Sequence, residues 1–187
     1  MSPLRTAVIL DLDLLYSVYC DTITAGGGWL VIQRRRDGSV DFNRDWTEYE
    51  DGFGFGTLPV DDKATTGKFW IGLYSLHCLT NQGQWELRID YTFTNGTKGF
   101  DGATTDPITG SHSLNGMKFT TRDRDNDQWS DNCATDWVVN AGGWWYSQCS
   151  HILPNNQYNH KHTMYLNGQW HPLPFIEIKI RAKDCII

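Results

Sequence analysis

In this 187-residue chain the residues with most chemistry to offer fall in one run, Asp123-Arg124-Asp125-Asn126-Asp127-Gln128-Trp129-Ser130-Asp131-Asn132-Cys133, followed by a second cysteine in Gly143-Trp144-Trp145-Tyr146-Ser147-Gln148-Cys149. Alternating carboxylates are the hard oxygen donors that Ca2+ prefers, and a loop of this kind adds main-chain carbonyls to reach the usual coordination number. An EF-hand does not fit. Counted from Asp123, its sixth position should be glycine and is Gln128, and its twelfth should be a bidentate glutamate and is Ala134. The bland alternative is a solvated acidic turn whose charge Arg122 and Arg124 neutralise.

Other chemistry is weaker. His160-Lys161-His162 has no third ligand in a zinc pattern and reads as surface. Thr66-Gly67-Lys68-Phe69 lacks the upstream glycine of a phosphate loop, where Asp62 stands, and has Phe69 in place of Ser/Thr. No nucleophile can be paired with a base, so an enzyme is not expected.

Several further motifs occur in a fixed order: Gly26-Gly27-Gly28-Trp29, Gln33-Arg34-Arg35, Asp37-Gly38-Ser39-Val40-Asp41-Phe42, Arg44-Asp45-Trp46, Gly52-Phe53-Gly54, Phe69-Trp70-Ile71-Gly72, Glu86-Leu87-Arg88-Ile89-Asp90 and the closing Ile176-Glu177-Ile178-Lys179-Ile180-Arg181. Together with the acidic loop and its cysteines, this series resembles the fibrinogen-like domain from about Tyr19 to Arg181. The resemblance implies an α+β fold, a twisted and mainly antiparallel sheet with short flanking helices and a loop-rich calcium-binding subdomain. It puts Ca2+ on the side chains of Asp125 and Asp127 and on the main-chain oxygens of Trp129 and Asp131. It also joins Cys133 to Cys149 in a disulfide and makes the peptide bond before Cys149 cis.

Beside that loop the resemblance implies a small pocket lined by Trp137, Cys149, Ser150 and Tyr165. In acetyl-recognising relatives such as ficolins and tachylectins a histidine follows the second cysteine. Ser150 stands there in this chain, with His151 one residue on. The function implied is a secreted, calcium-stabilised recognition module that binds glycans or acetylated groups in innate immunity or agglutination. Binding of an extracellular protein, in signalling or matrix adhesion as in angiopoietins and tenascins, is the alternative. Oligomers of such proteins form through upstream collagen-like or coiled-coil segments, which this chain does not carry.

The elements that must position these residues are short. Leu30 to Arg34, Glu86 to Phe93 and Phe175 to Arg181 alternate as half-buried strands do. Asp45 to Asp51 predicts a helix capped by Asp45, and Thr65 to Cys78 a second one. From Gly99 to Pro174 periodicity fades into Gly, Asn, Asp and Pro, which predicts a subdomain held by metal and disulfide. Trp144 and Trp145 read as core. The domain reading is therefore 1–18 outside the resemblance and 19–187 fibrinogen-like. An internal deletion of about two strands, roughly twenty residues at ordinary strand lengths, falls near 97–99 and would expose a sheet edge.

Composition bounds the partners. A net charge of −6 argues against nucleic acid, and no apolar stretch is long enough for a membrane span. The run Arg34-Arg35-Arg36 is expected to pair with carboxylates. Five cysteines favour an oxidising compartment, with Cys20 free to pair with Cys78 or Cys185, to bridge to another chain, or to stay reduced. Asn95-Gly96-Thr97 is a glycosylation sequon. Residues 1–19 contain no secretion signal, so the secretory reading implies a parent that begins further upstream.

Overall fold

The computed structural model describes residues 4–11, 14–54, 67–101, 114–135, 141–158, 163–166 and 168–183, with side chains from residue 19 on except those of 100 and 101. Trp137, His160, Lys161, His162 and Cys185 lie outside the described residues.

Seven strands form one antiparallel sheet: β1 (Leu4–Asp11), β2 (Leu14–Asp21), β3 (Trp29–Arg35), β4 (Phe69–Trp70), β5 (Trp85–Thr92), β6 (Lys98–Asp101) and β9 (Phe175–Ala182). Their order is β1-β2-β3-β9-β5-β6, with β4 paired to the end of β3. A separate hairpin joins β7 (Met164–Leu166) to β8 (Gln169–His171). Among the described residues two α-helices, α1 (Trp46–Asp51) and α2 (Leu73–Thr80), complete the α+β fold.

The three strands expected from alternation are β3, β5 and β9; β5 is half-buried as expected, with Ile89 inside, but β3 and β9 are buried more completely than half-buried strands would be. On β9, Ile176, Ile178 and Ile180 face a core shared with Leu30, Ile32 and Ile89, and the opposite face, Glu177 and Lys179, is buried too. Charge pairing makes that burial tolerable. Lys179 Nζ lies 2.7 Å from carboxylates of Asp21, Asp90 and Glu177, Arg34 pairs with Glu177 at 2.5 Å, and Arg88 with Asp90 at 2.7 Å. Burial alone would raise the Asp21 carboxyl, yet bonds from Lys179 and Thr24 hold it far below its ordinary range. Likewise burial disfavours the Lys179 cation, and Glu177, Asp21 and Asp90 more than compensate, so its pKa is raised.

Two local expectations change. The second helix begins at Leu73 rather than near Thr65, because Phe69 and Trp70 are drawn into a strand against Arg34 and Gln33, and Gly72 before the helix takes φ +100°. Of the arginine run, Arg34 meets a carboxylate, whereas Arg35 donates to the carbonyls of Pro154 (2.7 Å) and Asn156 (2.6 Å) and lies over the Phe42 ring. Its burial lowers its pKa to about 10.

Around the Gly96 turn the chain reverses tightly from β5 into β6, with Phe93 N on Thr97 O at 2.8 Å and Gly96 N on Phe93 O at 2.9 Å. Asn95 is exposed at this turn, its Oδ1 accepting from Thr97 N. The described sheet ends on β6, which pairs only Ile89 to Thr92 of β5.

A second core is aromatic. Tyr49 of α1 packs with Phe53, Trp70 and Phe119 at ring separations of 5.1 to 5.6 Å, and Trp144 and Trp145 lie beside it in edge contact. Gly143 is required here: a Cβ would come within 2.7 Å of the Phe119 and Tyr49 rings.

Candidate functional site

The acidic loop folds by side chains bonding to their own neighbours, the usual device of Asp and Asn in turns. Asp125 Oδ1 accepts from Asp127 N (3.2 Å), Asp127 Oδ1 from Trp129 N (2.9 Å) and Asp127 Oδ2 from Cys133 N (3.0 Å). Asn126 holds Phe119 O and Asn132 holds Thr121 O from inside the loop. Gln128 N then reaches Ser147 O at 2.9 Å, tying the loop to the arm that carries Cys149. Cys133 and Cys149 are joined in a disulfide with Cα atoms 5.3 Å apart.

The loop's arginines turn toward α1. Arg122 pairs with Asp45 at the start of α1 at 2.5 Å, and the Arg124 guanidinium lies 4.0 Å from the Trp46 ring centre. Asp123 turns the same way, accepting from Trp46 N at 2.8 Å and Thr121 Oγ1 at 2.7 Å. Among the described residues no basic side chain forms an ion pair with Asp125 or Asp127. Burial raises the pKa of Asp127; the Cys133 and Trp129 N–H groups oppose this, and the neighbouring Asp125 charge adds to it. Asp125 and Asp127, two residues apart, accept backbone N–H bonds with lone pairs to spare, in a loop that also carries the Trp129 and Asp131 carbonyls. Such a set fits a hard divalent ion. No group of three or more His, Cys, Asp or Glu side chains suited to a metal occurs among the described residues, so an ion here has to draw on main-chain oxygens.

The turn at Cys149 differs from expectation. Every described peptide bond is trans, that before Cys149 included, and the reversal comes from Cys149 itself at φ +57°. Ser147 closes it, its N and Oγ both donating to Cys149 O at 3.3 Å. A non-glycine residue held in this region costs about 1–3 kcal/mol and persists only where its surroundings fix it, as the disulfide and Ser147 do here.

Of the expected pocket residues, Cys149 is half-buried and Ser150 is buried, its Oγ accepting from Ile152 N at 3.1 Å. Tyr165 is at the surface, 36 % exposed. Its ring faces that of His151 at 4.9 Å, and its N–H donates to His151 O at 2.7 Å. The histidine displaced by one residue in sequence thus reaches the tyrosine, while the serine in its register position turns inward. Sequence reading passed over Trp170, which stands directly opposite Tyr165 across the β7–β8 hairpin with ring centres 5.4 Å apart. The signal was available: Asn167-Gly168 between short apolar runs is a strong hairpin mark.

Comparison with known proteins places this geometry. The family model described as fibrinogen beta and gamma chains, C-terminal globular domain, matches residues 4–105 and 95–183. Fibrinogen-like protein 1 of Bos taurus is 36% identical over 91% of this chain and 64% of its own length. Fibrinogen C domain-containing protein 1 of Homo sapiens is 38% identical over 89% of this chain and 41% of its own. The chain thus spans between about two fifths and just under two thirds of these relatives. Among solved structures, the fibrinogen-like globe domain of human ANGPTL2 superposes with a TM-score of 0.73 at 29% identity, covering 95% of this chain and 93% of that one. A lamprey fibrin D-dimer complexed with the peptide Gly-His-Arg-Pro-amide does so at 0.73 and 26%, covering 100% and 70%. With its two arms crosslinked at Cys133 and Cys149 and its sheet in place, the chain belongs to the family of the fibrinogen C-terminal globular domain.

Proposed function

We propose that this domain is a secreted, non-enzymatic recognition module braced by calcium, which binds glycans or acetylated groups beside the calcium loop in host defence or agglutination. The observation that carries the reading is the orientation of Arg122 and Arg124. Both are committed to α1, so the paired carboxylates of Asp125 and Asp127 lack the cation that a bland acidic turn would have taken from them. Asp125 and Asp127, with the carbonyls of Trp129 and Asp131, would hold Ca2+. The ion would supply charge neutralisation and rigidity to the arm bearing Cys149, not chemistry on a ligand.

His151 and Tyr165 supply the recognition surface in this proposal. The tyrosine ring packs on a methyl, and a nearby N–H or the imidazole bonds a carbonyl, the pattern of a site with apolar walls and few polar groups. Capture of an extracellular protein through the same face is the second reading, favoured by the likeness to a fibrin structure that carries a peptide ligand.

The test titrates N-acetylglucosamine by NMR with calcium and with chelator. Binding at millimolar strength is expected, with calcium raising the melting temperature of the wild type and leaving that of Asp127→Ala unmoved. His151→Ala and Tyr165→Ala should each weaken the sugar about five- to tenfold, as loss of a hydrogen bond or stacking contact of about 1–1.4 kcal/mol would. A calcium shift that survives in Asp127→Ala displaces the metal site. Sugar binding indifferent to both ring deletions moves recognition elsewhere.

A further inference from the structure

The two ends of the seven-stranded sheet are both strand edges, and their sequences treat the edge differently. At one end β6 is four residues long, Lys98-Gly99-Phe100-Asp101, and its shortness, lysine and glycine all discourage further pairing. At the other end β1 runs for eight residues, Leu4-Arg5-Thr6-Ala7-Val8-Ile9-Leu10-Asp11, without proline, glycine or lysine. It pairs with β2 in an unbroken register, from Leu4 opposite Asp21 to Asp11 opposite Leu14. Among the described residues no strand pairs with its other side. A long, regular and mainly apolar edge is a template for another strand.

The order of residues along β1 says which strand fits. In an antiparallel pair the N–H and C=O groups that point to one side come from every second residue. Two copies of one strand therefore meet donor to acceptor only in registers where opposed residue numbers have an even sum. The longest of these within β1 join residues 4–10 about Ala7 or residues 5–11 about Val8. About Ala7, Arg5 falls opposite Ile9, and Asp11 has no counterpart within the strand. About Val8, Thr6 falls opposite Leu10, Ala7 opposite Ile9, and Arg5 opposite Asp11, each pairing occurring twice because the axis is two-fold. Both charges of the strand then stand opposite their complements, an arrangement that favours cross-strand pairing.

We propose that β1 is a self-association edge, at which two copies of this chain pair antiparallel about a two-fold axis at Val8 and continue one sheet into the next. Pairing over residues 5–11 is small beside a standard protein interface, so the dimer is weak and concentration-dependent. It doubles the number of recognition surfaces on one particle, the route by which weak sites gain avidity. No residue of β1 belongs to the calcium loop or to the His151–Tyr165 pair, so the edge stands independently of the function proposed above.

Sedimentation velocity of the full chain over a range of concentrations tests the proposal. The wild type should dimerise reversibly, and Cys20→Ser should dimerise equally well. Arg5→Asp sets aspartate opposite aspartate and Asp11→Arg sets arginine opposite arginine, and each should weaken the dimer about tenfold or more. An equimolar mixture of these two variants restores opposite charges at both ends and should dimerise as the wild type does, as should the swap Arg5→Asp/Asp11→Arg. Recovery in the mixture separates pairing from damage to the fold. A chain that is monomeric at every concentration overturns the proposal. So does a dimer lost in Cys20→Ser, which would be a disulfide-bridged species, a dimer unchanged in both single variants, or a mixture that fails to recover.

Discussion

The sheet and the loop region around the disulfide are stabilised by different kinds of contact. In the sheet, β9 lies between β3 and β5 with long runs of paired backbone, and its polar face is closed by ion pairs. In the loop region few backbone ladders exist, and single side chains hold whole turns. Tyr49 Oη donates to Phe42 O at 2.6 Å and accepts from Gly143 N at 3.1 Å, while Asn155 Nδ2 donates to Gly143 O at 2.7 Å. A ladder spreads its energy over many replaceable residues; a turn hung on one carboxylate or amide does not. The difference teaches that sequence change in the loop region acts one residue at a time, whereas the sheet is exposed to large loss mainly where its buried charges balance.

The severest break is therefore expected at that balance. Lys179→Met removes the cation shared by Asp21, Asp90 and Glu177 and should cost about 3–5 kcal/mol in denaturant unfolding, the usual consequence of stranding buried charge. The pH dependence sharpens this. Asp21 has a lowered pKa in the folded protein, so its stabilising share is present above its ordinary value of 3.8 and is lost as pH falls below it. Lys179 has a raised pKa, so its share is present below its ordinary value of 10.5 and is lost only as pH rises beyond it. The gap between wild type and Lys179→Met should accordingly narrow as pH drops through 3.8. A cost under about 1 kcal/mol would mean that the network is hydrated and the sheet is not charge-locked.

Next in size is the crosslink of the loop region. Cys133→Ser/Cys149→Ser opens a loop whose ends are separated by 16 positions in sequence and should lose about 3 kcal/mol. Hydrogen exchange should report the loss in residues 119–135 and 141–155 before it reaches β9. Uniform loss across both regions would erase the distinction drawn here.

The smallest effect tests how the two regions are joined. Asp123→Ala removes the acceptor for Trp46 N and should cost about 1 kcal/mol, equally with and without calcium. A calcium-dependent cost would bring Asp123 into the donor set.

How far the fold could be read in advance follows from the same contrast. Strands β3, β5 and β9 announce themselves because alternation survives whichever partner a strand finds. Strand β4 does not, since two residues carry no period and Phe69-Trp70 pairs only because β3 is there to receive it. Strand β1 and most of β2 lie in residues 1–18, the segment read as outside the resemblance, where Asp11 and Asp13 interrupt the apolar pattern. The carboxylates of Asp125 and Asp127, proposed above as donors to calcium, stand out by type and spacing. The pairing of Trp170 with Tyr165 is marked only by the hairpin signal at Asn167-Gly168, and the inward turn of Ser150 is not legible because it depends on the positive φ of Cys149 and on the bond from Ile152 N.

What the sequence determined by itself was composition with order: carboxylates at alternate positions, cysteines at the two ends of a short loop, apolar residues at every second place in β5 and β9 and a continuous apolar run in β3. These are local properties, set by bond geometry and side-chain chemistry. Only the tertiary structure decided where the charges went. It turned Arg122 and Arg124 onto α1 and gave Lys179 carboxylates from β2 and β5. The physical reason is that Coulomb and hydrogen-bond energies depend on distance through space and on burial, and neither is a function of separation along the chain.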